Sequence, residues 1–128
     1  MQEITALLAL ADRDLKACQT PNLVSDWRFN IAYNAALQSA TAALAAAGYR
    51  VERANHHYRT LQSLEFTIGL DENRIRVLDL FRKKRNLADY ERAEIVTDAE
   101  LSRMIELAAK LRRTVETWIR THHPDLLA

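Results

Sequence analysis

SDWRFNIAYNAALQSATAALAAAG, residues 25–48, decides how this chain folds. Phe29, Ala32, Ala36, Ala40, Ala43 and Ala47 recur at helical spacing, with Leu44 at the edge. A flexible Ala-rich linker would have no reason to keep that period. Alanine over so much of a helix lets neighbouring backbones approach closely, so the stretch reads as the inner helix of a bundle. Ser25 or Asp26 is its expected N-cap, and Gly48 its expected C′ glycine.

The flanking sequence supplies the partners. A helix over about residues 2–18 carries Ile4, Leu7, Leu8, Ala11 and Leu15 on one face. It ends in QTPN, where Pro21 disfavours the helical conformation at Thr20. A third helix spans about 53–68 and stops at Gly69, and a fourth starts at Asp71 or Glu72. After a break near 91–96, TDAE at 97–100 has the form of a capping box, with Thr97 as N-cap and Glu100 at N3. The fifth helix runs to about Thr121, with Leu101, Ile105, Ala108, Leu111, Val115 and Trp118 as its stripe, and HHPDLLA is expected to fray. Short connections between amphipathic helices predict an all-α, up-and-down bundle of about five helices, in one domain over 1–128.

Composition agrees. The chain has only two Gly and two Pro, and Ala, Leu, Arg and Glu are abundant, which favours helix throughout. Eighteen Lys and Arg face 17 Asp and Glu, so no global charge demands a polyanionic partner and any basic patch must be local. One cysteine, Cys18, excludes an internal disulfide and reads as an ordinary packed thiol. MQEITALLALADRD has no basic leader and meets acids early, so it is not expected to be a signal peptide. No run approaches the roughly 18–20 apolar residues of a membrane span. A cytoplasmic protein without a membrane partner is the expectation.

Function comes into view at FRKKRNLADY, residues 81–90. At roughly 100° per residue, Val77, Leu78, Phe81 and Ala88 share one side of the fourth helix, and Arg85 falls among them. Asp89 stands four residues on, at ion-pair spacing. Lys83 points away into solvent, Lys84 is at most a peripheral contact, Arg82 flanks the apolar face, and Asn86 and Tyr90 pair further round. A guanidinium on an apolar face is costly unless it is paired or the face opens at a groove. Arg85 and Asp89 therefore either lock an interface, or Arg85 lines a cleft and takes a phosphate or other anion.

The run Arg85-Asn86-Leu87-Ala88-Asp89-Tyr90 resembles the signature region of HEPN domains, helical bundles found with nucleotidyltransferase partners and in toxin–antitoxin and other defence systems. Their usual motif is Arg, a polar residue, three more residues, then His; a subset reads closer to R-x-x-A-D-Y. Tyr33 to Gly48 resembles the family's Ala-rich second helix, Asn55-His56-His57 its histidine-bearing third-helix start, and Ala108, Leu111 and Val115 its fifth helix. The likeness covers about 25–120. It implies an HEPN-like bundle, a homodimer across the fourth helix, RNA or nucleotide as ligand, and a nucleotidyltransferase as possible partner. In the family's metal-independent ribonucleases, Arg and His act together at a dimer cleft. The carry-over gives Arg85, Asn86 and Tyr90 as the catalytic candidates. Tyrosine, with an ordinary pKa of about 10, is a poor general base where histidine would serve. His56 or His57 could reach the cleft from the third helix. The binding set is thus Arg82, Arg85, Asn86, Asp89, Tyr90, His56 and His57.

Three functional readings follow: an HEPN-type binding or accessory protein without efficient catalysis, a toxin-type endoribonuclease, or a structural interaction module. Other chemistries are weakly supported. His56-His57 and His122-His123 are adjacent pairs, whereas helical metal ligands sit three or four apart, so no metal is expected. Two glycines exclude a P-loop or dinucleotide fingerprint, and no cofactor is expected. A helix-turn-helix through GLDEN fits poorly, because its reading end would be Asp71-Glu72-Asn73. Nonspecific RNA contact through Arg82, Lys84, Arg85 and Arg92 needs only clustered charge.

Overall fold

In the computed structural model the Ala-rich stretch is a helix; the structure describes residues 2–50, 56–90 and 95–127, with the side chains of all but residues 2 and 86–90. The elements in chain order are α1 (Gln2–Ala17), α2 (Ser25–Ala46), α3 (His56–Gln62), α4 (Leu64–Thr67), α5 (Glu72–Tyr90) and α6 (Asp98–His122), followed by a 3-10 turn at Pro124–Leu126. Among the described residues there is no strand. α3 and α4 are two pieces of the expected third helix, so the described residues form a five-helix all-α bundle.

α2 packs along its length against α1 and α6. Its burial is wider than one stripe, because Tyr33, Ala35, Ser39, Ala42 and Ala46 are buried alongside the expected residues, of which only Ala47, the C-cap, is half-buried. A helix enclosed on several sides needs small residues all round, and Ser39 meets its own polar demand by donating to the Ala35 carbonyl at 2.9 Å. Directions follow from contacts at the helix ends. Arg28 Nε donates to the Cys18 carbonyl at 2.7 Å, and Arg50 forks onto Glu3, so α1 and α2 are antiparallel. Lys84 reaches Glu100 at 3.3 Å while Leu78 faces Leu107 and Leu111, so α5 is antiparallel to α6. α2 and α6 run the same way: Asp26 accepts from the Val96 N–H at 3.1 Å, and Leu126 joins Ala45 and Gly48 at the other end. Arg112 stitches α1 to α6 through Asp12 (2.9 Å) and the Leu8 carbonyl (3.3 Å).

Helix ends follow the sequence in some places and depart from it in others. The Thr97–Glu100 capping box forms, with Thr97 Oγ1 accepting from the Glu100 N–H and Glu100 accepting from the Thr97 N–H. Thr97→Ala is expected to cost about 1 kcal/mol, read from urea or thermal unfolding. Gly48, at φ +90°, closes α2: Gly48 N–H bonds the Ala45 carbonyl and Tyr49 N–H the Leu44 carbonyl, satisfying two orphan acceptors. Asp71 caps α5 by accepting from the Arg74 N–H, a bond that holds its carboxyl below the ordinary range.

At α2 the expected cap is corrected. The N-cap is Val24, which has no capping side chain, and Ser25 and Asp26 lie inside the first turn. The Asp26 carboxylate is drawn instead to the Val96 N–H, on the chain entering α6. The third helix breaks at Ser63, whose hydroxyl donates to the Thr60 carbonyl at 2.7 Å and competes with the backbone ladder. The α6 stripe centres on Met104, Leu107 and Ile119 as well as the expected residues, leaving Ile105 and Trp118 half-buried. The tail is not frayed as far as Leu127. Pro124 starts a 3-10 turn, and Leu126 and Leu127 pack against the core, where apolar burial outweighs the entropy of a loose end.

Candidate functional site

The site is built where α5 meets α2 and α3. Phe81 of α5 packs edge-on against Phe29 of α2, with centroids 5.2 Å apart at 76°. One turn further along each helix, the same approach brings Arg85 over Tyr33, its guanidinium carbon 5.4 Å from the ring centroid. This is how a guanidinium on an apolar face is accommodated: Leu78 is fully buried below it, and the cation lies against an aromatic face. Arg85 itself is half-buried.

From α3, His57 turns its Nδ1 to the Tyr33 hydroxyl at 3.4 Å, and the His56 ring lies beside His57, 5.6 Å away and tilted by 60°. Arg82, one turn before Arg85, lies 5.6 Å over the ring of the exposed Tyr58 and is held by Asp79 at 2.9 Å. Asp79 also takes Lys83 at 3.5 Å.

Burial pushes the Tyr33 phenol up to about 12, against the pull of Arg85 and Arg82, so it stays protonated at neutral pH. Burial also pushes His57 down, and Arg85, His56 and Arg82 push it further, so His57 is neutral there. We assign the phenol as donor to Nδ1, which leaves the imidazole proton on Nε2. A neutral histidine beside two guanidiniums presents an N–H donor in a positive field. Asp79, which pairs with Arg82, supplies an opposing charge at Tyr33.

The direction of the His57 shift fixes a pH dependence. Its folded value is below the unfolded 6.5, so as pH falls through 6.5 the unfolded chain takes up the proton first. The stability tied to neutral His57 is complete above that value and declines as pH drops through the folded value. Urea unfolding between about pH 8 and pH 5 is expected to show this loss, and His57→Gln to flatten it.

Of the residues read from sequence, Arg82, Arg85, His56 and His57 are brought together. Asn86, Asp89 and Tyr90 continue the backbone of α5, but their side chains lie outside the described residues, as does the expected Arg85–Asp89 pair. Asn55 and Arg92 also lie outside them. Lys84 lies apart from this cluster in its pairing, with Glu100 at 3.3 Å. Tyr33, Tyr58 and Asp79 were missed as site residues. A signal for Tyr33 existed: it follows Phe29 by four residues on the buried stripe, and a buried phenol needs a partner.

Elsewhere, a groove of about 320 Å³ between the α4–α5 turn and α6 has a leucine floor, and its Arg74 is already paired with Asp71 at 3.1 Å. Cys18 is buried, donates to the Leu15 carbonyl, and has its thiol pushed up by burial, which suits a packed residue. Among the described residues no three metal-ligating side chains cluster, and no helix is long and apolar enough to cross a membrane.

Fold and site together define an all-α bundle carrying a half-buried Arg–Tyr–His cluster. No protein-family model matches the chain, and no curated protein matches it.

Proposed function

We propose that this chain is an HEPN-type binding or accessory protein that takes the phosphates of a nucleic acid or nucleotide around Arg85, without efficient catalysis. The observation that carries the reading is the convergence of Arg85 and Arg82 on Tyr33 and His57 from three helices. Two guanidinium forks and an Nε2–H donor form an acceptor-seeking surface, and phosphate oxygens match it. Tyr33 contributes by holding Arg85 and fixing the His57 tautomer. A homodimer through α5, a nucleotidyltransferase partner and a toxin–antitoxin or defence setting belong to the same reading.

The case against efficient catalysis is chemical. A general base needs an accessible lone pair near neutral pH, and in the assigned tautomer the free imidazole nitrogen of His57 carries the proton. The test is binding of a fluorescent RNA across a salt series. Arg85→Ala is expected to weaken binding about tenfold and to lower the salt slope by about one. Lys83→Ala, which removes an exposed charge, should change little. An Arg85→Ala protein that binds like wild type, with the same slope, sinks the reading. If that variant instead dissociates a dimer that has no ligand, Arg85 is a structural lock.

One observation favours a second reading, the metal-independent endoribonuclease. His57 stands in hydrogen-bond reach of the ring that Arg85 covers, so a histidine absent from position 90 is available from α3. RNA cleavage in EDTA, lost in both Arg85→Ala and His57→Ala, would establish it; no Arg85-dependent cleavage would exclude it.

A further inference from the structure

The site contains two arginine–tyrosine pairs of nearly equal geometry, Arg85 over Tyr33 at 5.4 Å and Arg82 over Tyr58 at 5.6 Å. They differ in exposure. Tyr33 is 0% exposed, so its ring is a fixed support inside the protein, whereas Tyr58 is 43% exposed. The pairs are neighbours, because Tyr58 follows His57 on α3 and Arg82 precedes Arg85 by one turn on α5. The field of Arg82 reaches both Tyr33 and His57, so both pairs share one electrostatic environment.

An exposed aromatic ring topped by a guanidinium, beside a phosphate-seeking cluster, has the chemistry of a nucleobase platform. We infer that Tyr58 and Arg82 stack an unpaired base whose phosphate is taken by Arg85 and His57, which makes the ligand single-stranded nucleic acid. The inference rests on the phosphate reading above and narrows it. Every base offers a π face to such a platform, so the selectivity is for strandedness and not for sequence. In a duplex the faces are already stacked on one another and unavailable to Tyr58. Asp79 assists by holding Arg82 at 2.9 Å, which fixes the guanidinium against the ring.

The experiment compares a fluorescent RNA 12-mer without secondary structure, the matching 12-base-pair duplex, and inorganic tripolyphosphate as competitor, on wild type, Tyr58→Ala, Tyr58→Trp and Arg85→Ala. Tyr58→Ala is expected to weaken single-strand binding roughly 5- to 150-fold, the range for loss of one stacked base. Tyr58→Trp should bind at least as well as wild type, and inhibition by tripolyphosphate should be unchanged in both variants. Far-ultraviolet circular dichroism checks that each remains folded, which an exposed position favours. The platform is overturned if Tyr58→Ala binds the single strand within twofold of wild type, or if the duplex binds as tightly as the single strand. It is also overturned if Tyr58→Ala loses tripolyphosphate to the same degree, since Tyr58 would then act only by placing Arg82. In each of these cases the phosphate reading stands if Arg85→Ala still weakens both ligands. A wild-type protein that binds neither ligand overturns both.

Discussion

Phe29→Ala is expected to destabilise the fold by about 3–5 kcal/mol, the largest effect of any single truncation proposed for this molecule. Phe29 is 0% exposed on the inner helix and receives Phe81 edge-on at 5.2 Å, the contact that ties α5 to α2. The surroundings decide which end of the range applies. Its i+3 and i+4 neighbours on α2 are Ala32 and Tyr33, both fully buried: a methyl group has no rotamers with which to fill a vacated ring, and Tyr33 is held by His57 and Arg85. The cavity therefore persists, and its cost adds to the lost transfer energy. A total stability of roughly 5–15 kcal/mol leaves little margin, so the midpoint of thermal unfolding should fall by about 10–20 °C. Phe81→Ala removes the same edge-to-face contact from a half-buried position and should cost less. Urea unfolding of both variants checks this, and a loss below about 1 kcal/mol for Phe29→Ala would contradict the packing.

The same close packing explains what could be read from the sequence. A stripe of alanines at helical spacing admits one interpretation, because small side chains matter only where another backbone comes close. Local chemistry was equally legible where its partners are local: Thr97 with Glu100, and Gly48 at positive φ. What escaped depends on partners distant in sequence. Asp26 reads as an N-cap until Val96, 70 residues on, claims its carboxylate. Ser63 is the local exception: it reads as an interior residue until its hydroxyl takes the carbonyl of Thr60, three residues back. Leu126 and Leu127 read as a loose end until the core receives them.

The site divides in the same manner. The wheel of α5 placed Arg85 on an apolar face and left its partner open between Asp89 and a ligand. In the structure an aromatic ring on α2 meets it, and no spacing within α5 could have indicated that ring. His57 was one of two adjacent histidines with no basis for choosing between them; contact with Tyr33 distinguishes it. The basic run itself separates by partner: Lys83 and Arg82 share Asp79, Lys84 goes to Glu100, and Arg85 turns inward.

Tyr33 at alkaline pH carries the second large effect. Its phenol is pushed up from 10 to about 12, first by burial, with Asp79 adding to the rise while Arg85 and Arg82 oppose it. As pH rises through 10 the unfolded chain loses this proton while the folded chain keeps it until about 12. The unfolded state then binds fewer protons, so stability must fall with pH across that window. Two units correspond to roughly 3 kcal/mol by the top of the window. Tyr33→Phe removes the titration, so the difference in stability between wild type and variant is expected to be constant below about pH 9 and to shift in the variant's favour above it. Below that pH the variant should be the less stable protein, since it loses the hydroxyl bond to His57. The crossing separates two roles of one atom: the proton that fixes the His57 tautomer at neutral pH is the proton whose removal the fold resists at high pH. A wild-type and Tyr33→Phe pair whose stabilities run parallel from about pH 7 to pH 12 would show that this phenol titrates as in the unfolded chain, and that the Arg85 support is not buried.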